Sequence, residues 1–195
     1  VILLTGPEPD FHWGDFVDLV VEMCERLGVR MVVGLGAFPG PVPHTRPLRV
    51  VGTAPAASAH LLHAVTAVDG EIEVPAGIMA AIELGCAEAG IEVITLWARV
   101  PHYVASMPYP IASAALIDAV AAVAGLTVSS VELRSKAEET RQRVDDLVEN
   151  NPEHETMVHN LESQADEIEP PVADELPSGD ELAEELERFL RDQET

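Results

Sequence analysis

Three short stretches of the sequence gather side chains able to do chemistry. In Pro39-Gly40-Pro41-Val42-Pro43-His44-Thr45-Arg46-Pro47, four prolines stiffen a loop that presents His44, Thr45 and Arg46 together. An imidazole, a hydroxyl and a guanidinium so placed can bind an anion or polarise a carbonyl. They can equally pin the loop to its own sheet or to a neighbouring subunit, and no nucleophile accompanies them. Val100-Pro101-His102-Tyr103, followed by Tyr109-Pro110, offers a histidine and two phenols at the end of a strand. General acid or base work by His102 would need a partner carboxylate at a defined spacing; without one, the simpler expectation is a hydrogen-bonded loop histidine. Thr5-Gly6-Pro7-Glu8-Pro9-Asp10, with Trp13 just beyond, sets Glu8 and Asp10 at a strand-to-helix turn, where open α/β sheets bind ligands. Pro7 and Pro9 lack the N–H groups that cradle phosphate and the two carboxylates repel it, so a rigid turn is expected rather than a nucleotide loop. Glu8, Asp10, Trp13, His44, Thr45, Arg46, His102, Tyr103 and Tyr109 are therefore the candidates for a ligand or interface site, with no catalytic residue and no metal ligand assigned.

Other chemistry is poorly supported. His60 and His63 have a spacing that metal sites use, but no acidic third ligand stands near them. No G-x-S-x-G elbow, Walker loop or G-x-G-x-x-G opens a helix, and Gly34-Leu35-Gly36 is only a fragment of the last. Nothing calls for a cofactor. A formal net charge of −23 makes phosphate backbones and anionic membranes poor partners, because association adds repulsion without releasing counterions. Cys24 and Cys86 sit in apolar helical patterns rather than a C-x-x-C spacing, which fits a reducing cytoplasm. The long apolar stretch from Ile111 to Val128 is Ala-rich and interrupted by Asp118, so it reads as a buried helix and not as a membrane span.

The elements that must position these residues alternate between strand and helix. Val1–Leu4 reads as a buried parallel strand. A helix follows with Phe16, Val20, Cys24 and Leu27 at helical spacing, Asp10 able to cap its start and Gly28 its end. Val29–Leu35 reads as a second strand, with Gly34 and Gly36 opening a loop. Leu48–Thr53 is a further strand and Ala56–Val65 a helix. Val74-Pro75-Ala76-Gly77 leads into a helix from Ile78 to Ala89, which Gly90 stops before the strand Ile91–Trp97. With few aromatic residues (4%) among 47% apolar ones, the core must be built from Ala, Val, Ile and Leu. Alternation at this length implies an α/β fold, a mostly parallel sheet covered by helices on both faces, across residues 1–130.

From Val131 the polymer changes: residues 132–195 carry 21 acidic and 6 basic side chains, against 13 and 5 before them. Leu133, Ala137, Thr140, Val144 and Leu147 form a narrow coiled-coil-like seam, and Val158, Leu161, Ala165 and Ile168 continue it past Asn151-Pro152. The expectation is an antiparallel helical hairpin over 131–168, a Pro-rich acidic linker over 169–177, and a terminal helix over 178–193 that begins with a capping box at Ser178-Gly179-Asp180-Glu181. Such acidic helices are ordinarily solvated faces; the seams are their specific part.

Taken in order, Gly6-Pro7-Glu8-Pro9-Asp10 with Trp13, Val33-Gly34-Leu35, Pro43-His44-Thr45-Arg46-Pro47, Val74-Pro75-Ala76-Gly77, Val100-Pro101-His102-Tyr103, Tyr109-Pro110 and Leu176-Pro177-Ser178-Gly179-Asp180-Glu181-Leu182 resemble the PAC2 family, in particular its actinobacterial branch. The resemblance implies a three-layer αβα core similar to that of nucleoside phosphorylases and hydrolases, with a further segment ahead of Val1. It supplies no catalytic residues to carry over. It implies a non-enzymatic, cytoplasmic protein that binds copies of itself, a trimer among the possible assemblies, and whose partners include proteasome subunits. Two rivals remain: an enzyme of the phosphorylase, hydrolase or carboxylate-amine ligase kind using the strand-end loops, and an adaptor acting through the acidic helices.

Overall fold

The computed structural model describes residues 1–67 and 77–168. Among these residues the sheet has four strands, β1 (Met31–Gly40), β2 (Val50–Thr53), β3 (Thr66–Ala67) and β4 (Glu92–Pro101), in the order β1-β4-β2-β3. β1 and β4 run parallel in unbroken register from Met31↔Glu92 to Gly40↔Pro101, and β2 and β3 are also parallel. Only the β2–β4 pairing is antiparallel. β4 is therefore central, and Val93, Ile94, Leu96 and Ala98 are fully buried.

Helices cover both faces. On one, α1 (Trp13–Leu27) and α2 (Ile78–Glu88) bury Val17, Cys24, Ile82 and Cys86 against Ile91 and Val93. On the other, α3 (Pro110–Ala124) and a 3-10 turn at Ala56–Ala64 cover Ile94 and Leu96. The side chains of β4 alternate between these layers as strand geometry requires. Three helices stop at Gly28, Gly90 and Gly125, each with positive φ, where a side chain would be strained.

Several expectations need correcting. Val1–Leu4 is exposed and forms no strand; apolar composition makes a strand only where a neighbour completes its hydrogen bonds, and none of β1–β4 pairs with it. Asp10 does not cap α1. His12 occupies that position at φ 58° without a side-chain cap bond, and the indole N–H of Trp13 instead donates to the Pro9 carbonyl at 2.6 Å. β1 does not end at Gly34 and Gly36 but runs through them. A Cβ on Gly34 would lie 2.3 Å from Met79 Cε, and one on Gly36 2.4 Å from the Trp97 ring, so these glycines mark close approach and not a loop. The 56–65 helix is a 3-10 turn, whose three-residue repeat puts Ser58 and Leu61 on one buried face; Ser58 Oγ accepts the Val93 N–H at 3.1 Å.

The acidic helices form α4 (Val131–Glu149) and α5 (Pro152–Ile168), joined where Asn151 Oδ1 accepts the Glu153 N–H at 3.0 Å. Thr140, Val144, Val158 and Leu161 are buried as the seam predicts. Leu147 is exposed, and Val148 packs in its place, because a straight helix drifts off a strict heptad. α4 packs on α3, with Ser130 Oγ donating to Asp118 Oδ1 at 2.7 Å and Arg134 pairing with the same carboxylate. The expected linker at 169–177, the terminal helix at 178–193 and Val74–Ala76 lie outside the described residues.

The α1–α2 contact depends on Gly85, where a Cβ would lie 2.3 Å from Val17 Cγ1. Gly85→Ala gains about 1 kcal/mol of helix propensity but overpacks the contact by about 1–3 kcal/mol. Urea denaturation is expected to show a net loss for Gly85→Ala alone and a gain for the same change in a Val17→Ala background.

Candidate functional site

β1 and β4 end side by side at Gly40 and Pro101, so the loops following them emerge together. The prolines of the first loop limit its conformations, and the second tightens at once into a 3-10 turn at His102–Val104. His44 and Tyr103 meet there. The Tyr103 hydroxyl accepts the backbone N–H of His44 at 2.7 Å and lies 2.6 Å from Nδ1 of the same residue. Asp145 Oδ1 of α4, 2.9 Å from Nε2, can only accept, so Nε2 carries a ring proton and donates to it, and in the neutral imidazole the Tyr103 hydroxyl then donates to Nδ1. The His44 side chain is 3% exposed. Burial is the main cause that pushes the Tyr103 phenol up to about 12; the His44 N–H opposes it, and the nearby Tyr109, Glu162 and Asp145 reinforce it.

The next two residues bind α5. Thr45 Oγ1 donates to Glu162 Oε1. Arg46 forms a two-pronged pair with Asp166, Nε to Oδ1 at 2.8 Å and Nη2 to Oδ2 at 2.7 Å, while its Nη1 reaches Glu162 at 3.3 Å. The Arg46 hydrogen bonds hold the Asp166 carboxyl below its ordinary range, and the same hydrogen bonds raise the Arg46 guanidinium. Asp166 is thus ionised and paired at neutral pH, and this contribution fades as acid protonates it.

His44, Thr45 and Arg46 are therefore all engaged by carboxylates of the two acidic helices. Of the other candidates, His102 is exposed and packs edge-on to Tyr103 at 5.4 Å, and Tyr109 precedes α3 half-buried. Glu8, Asp10 and Trp13 are not part of this cluster: Glu8 Oε1 accepts the Ile78 N–H at 2.6 Å and so caps α2, while Asp10 is exposed. His60 pairs with Glu92 at 3.0 Å. Among the described residues no group of His, Cys, Asp and Glu is placed to hold a metal ion, and no helix is long and apolar enough to cross a membrane.

Asp145, Glu162 and Asp166 escaped sequence reasoning, as did Glu83, whose Oε2 accepts the Thr95 hydroxyl at 2.7 Å between α2 and β4. A carboxylate inside an acidic helix carries no mark of a partner more than a hundred residues away. Glu83 had a fainter signal, an acid among Ile, Met and Ala in the middle of a helix whose other acid, Glu88, stands at its last position. Burial pushes its carboxyl up, partly opposed by Thr95.

The fold and this site define a three-layer α/β protein whose strand-end loop is locked to a helical hairpin. Residues 1–148 match the PAC2 family, and the chain belongs to it. A Corynebacterium glutamicum protein of unknown function is 34% identical, with a TM-score of 0.79 over 86% of this chain and 62% of its own. A Streptomyces avermitilis PAC2 family protein is 32% identical (TM-score 0.69, 78% of this chain, 63% of its own). A Mycobacterium tuberculosis proteasome-assembly chaperone homologue is 35% identical (TM-score 0.67, 77% and 63%). The chain spans a little under two thirds of the length of these structures. No curated protein matches it.

Tyr103→Phe leaves the part-buried His44 N–H without its acceptor and the His44 ring, 3% exposed, without its Nδ1 partner, and is expected to lower stability by about 1–3 kcal/mol in urea titrations. Glu83 works in the opposite sense. Its raised carboxyl binds more protons in the folded chain than in the unfolded one, so stability falls as pH rises through the raised value and stays lower above it. Glu83→Gln should raise the melting temperature at about pH 8, with the gain shrinking as pH falls into the ordinary carboxylate range.

Proposed function

We propose that this chain is a non-enzymatic, self-associating PAC2 protein of the actinobacterial branch that acts in the cytoplasm by binding other proteins, with subunits of a proteasome as the partner class. The observation that carries this reading is the engagement of His44, Thr45 and Arg46 by Asp145, Glu162 and Asp166. An enzyme using those strand-end side chains would keep at least one of them free to meet substrate, whereas here they tie the core to the hairpin. The similarity to a Mycobacterium tuberculosis proteasome-assembly chaperone homologue supports the partner class, and the net charge of −23 argues against nucleic acid.

The test is recovery of unassembled proteasome subunits on the tagged chain from its own host, together with native-gel analysis of proteasome assembly in a deletion strain. The expected result is co-purification of free subunits and an accumulation of incomplete particles in the deletion. Normal assembly and no recovered subunit would contradict the assembly role. Sedimentation velocity on the purified chain addresses self-association, for which a single oligomeric boundary is expected and a monomer would be contrary.

A further inference from the structure

Beside the loop clamp lies a cavity of about 540 Å³ between residues 44–48, α3 and α4, within the size range of small-molecule sites. Its charge runs against that of the chain. Arg46, Arg134 and Arg141 line it with one carboxylate, Glu138, so the wall is net positive in a protein of net charge −23. The remaining lining is largely apolar, including Leu48, Ile111, Ala115 and Val144. The carboxylates that hold the arginines, Asp118, Asp145, Glu162 and Asp166, are not in the wall. They fix the guanidinium groups from outside it.

Donors remain in this wall. Arg141 meets Asp145 only through Nε, at 3.8 Å, and its two Nη groups have no partner among the described residues. The Tyr109 hydroxyl likewise makes no hydrogen bond among them, and it lies near enough to feel the charge of Arg141. A forked guanidinium beside a phenol above an apolar floor is complementary to a planar monoanion with a compact hydrophobic body. A phosphate dianion fits less well, since Glu138 and the overall field penalise the second charge.

We propose that this cavity is a binding site for carboxylates bearing an apolar group, with the carboxylate held by Arg141, Arg134 and Tyr109 and the apolar part on Leu48, Ile111 and Ala115. Two sources present that chemistry, a free small acid and the carboxyl end of a peptide. A ligand there touches both the Pro-rich loop and α4, so its occupancy also strengthens the attachment of the hairpin to the core.

The experiment is isothermal titration of the full chain with 4-phenylbutyrate and its amide, and in a second arm with acetyl-Ala-Ala-Phe as free acid and as carboxamide. Either acid is expected to bind, with its amide at least about tenfold weaker. Arg141→Ala should weaken the acid about tenfold or more. The exposed control Arg143→Ala should leave it unchanged. A higher affinity for the small acid or for the peptide identifies the source, and both outcomes support the site. No binding of either acid, equal binding of acid and amide, tighter binding of inorganic phosphate, or indifference to Arg141→Ala in a variant with unchanged circular dichroism would overturn it. The titration uses no proteasome component, so it fails or succeeds independently of the assembly role.

Discussion

Attachment of the Pro-rich loop to the acidic hairpin is the constraint on which the arrangement of this protein depends. One half-buried phenol, Tyr103, orders both the backbone and the ring of His44, and the ring passes that order to Asp145. Arg46 extends the attachment to α5 by a two-pronged pair with Asp166. Partly exposed ion pairs of this kind contribute little singly, about 0–1 kcal/mol. The His44–Tyr103 contact has a different weight, because the His44 side chain is 3% exposed and losing the phenol strands its Nδ1 out of water. The hairpin is also fastened at its start, where Ser130 and Arg134 share Asp118. It is thus part of the packed structure, and its carboxylates hold the loop.

Burial of β4 explains why the strand-end residues come together at all. With helices on both faces and strands on both sides, β4 fixes the direction of its neighbours, and its ten-residue register with β1 brings Gly40 and Pro101 level. The loops that follow must leave the sheet at one place. Proline in the first and a 3-10 turn in the second shorten their reach, so their polar side chains meet each other and then the nearest helix.

Much of this was legible in the sequence. The helix ending at Gly28, the strand after Gly90 and the Asn151-Pro152 junction follow from rules local to a few residues. The limits of β1 were not, because Gly34 and Gly36 look like loop glycines until Met79 and Trp97 are seen against them. Val1–Leu4 failed for a related reason: strand formation is a property of a pair of segments. The loop residues His44, Thr45 and Arg46 stood out by their type and spacing, but their partners did not. Nothing in the pattern of α4 and α5 separates Asp145, Glu162 and Asp166 from the solvated acids around them, since that distinction arises only when chain ends far apart in sequence are packed together.

The central claim is that the loop holds the hairpin to the core. Native-state hydrogen exchange on the full chain, compared with a Thr45→Ala/Arg46→Ala variant, tests it most directly. Exchange across residues 152–168 should accelerate by about an order of magnitude, as loss of ~1.4 kcal/mol of local stability requires, while amides of β1 and β4 keep their protection. Unchanged protection of 152–168 in the variant would contradict the account.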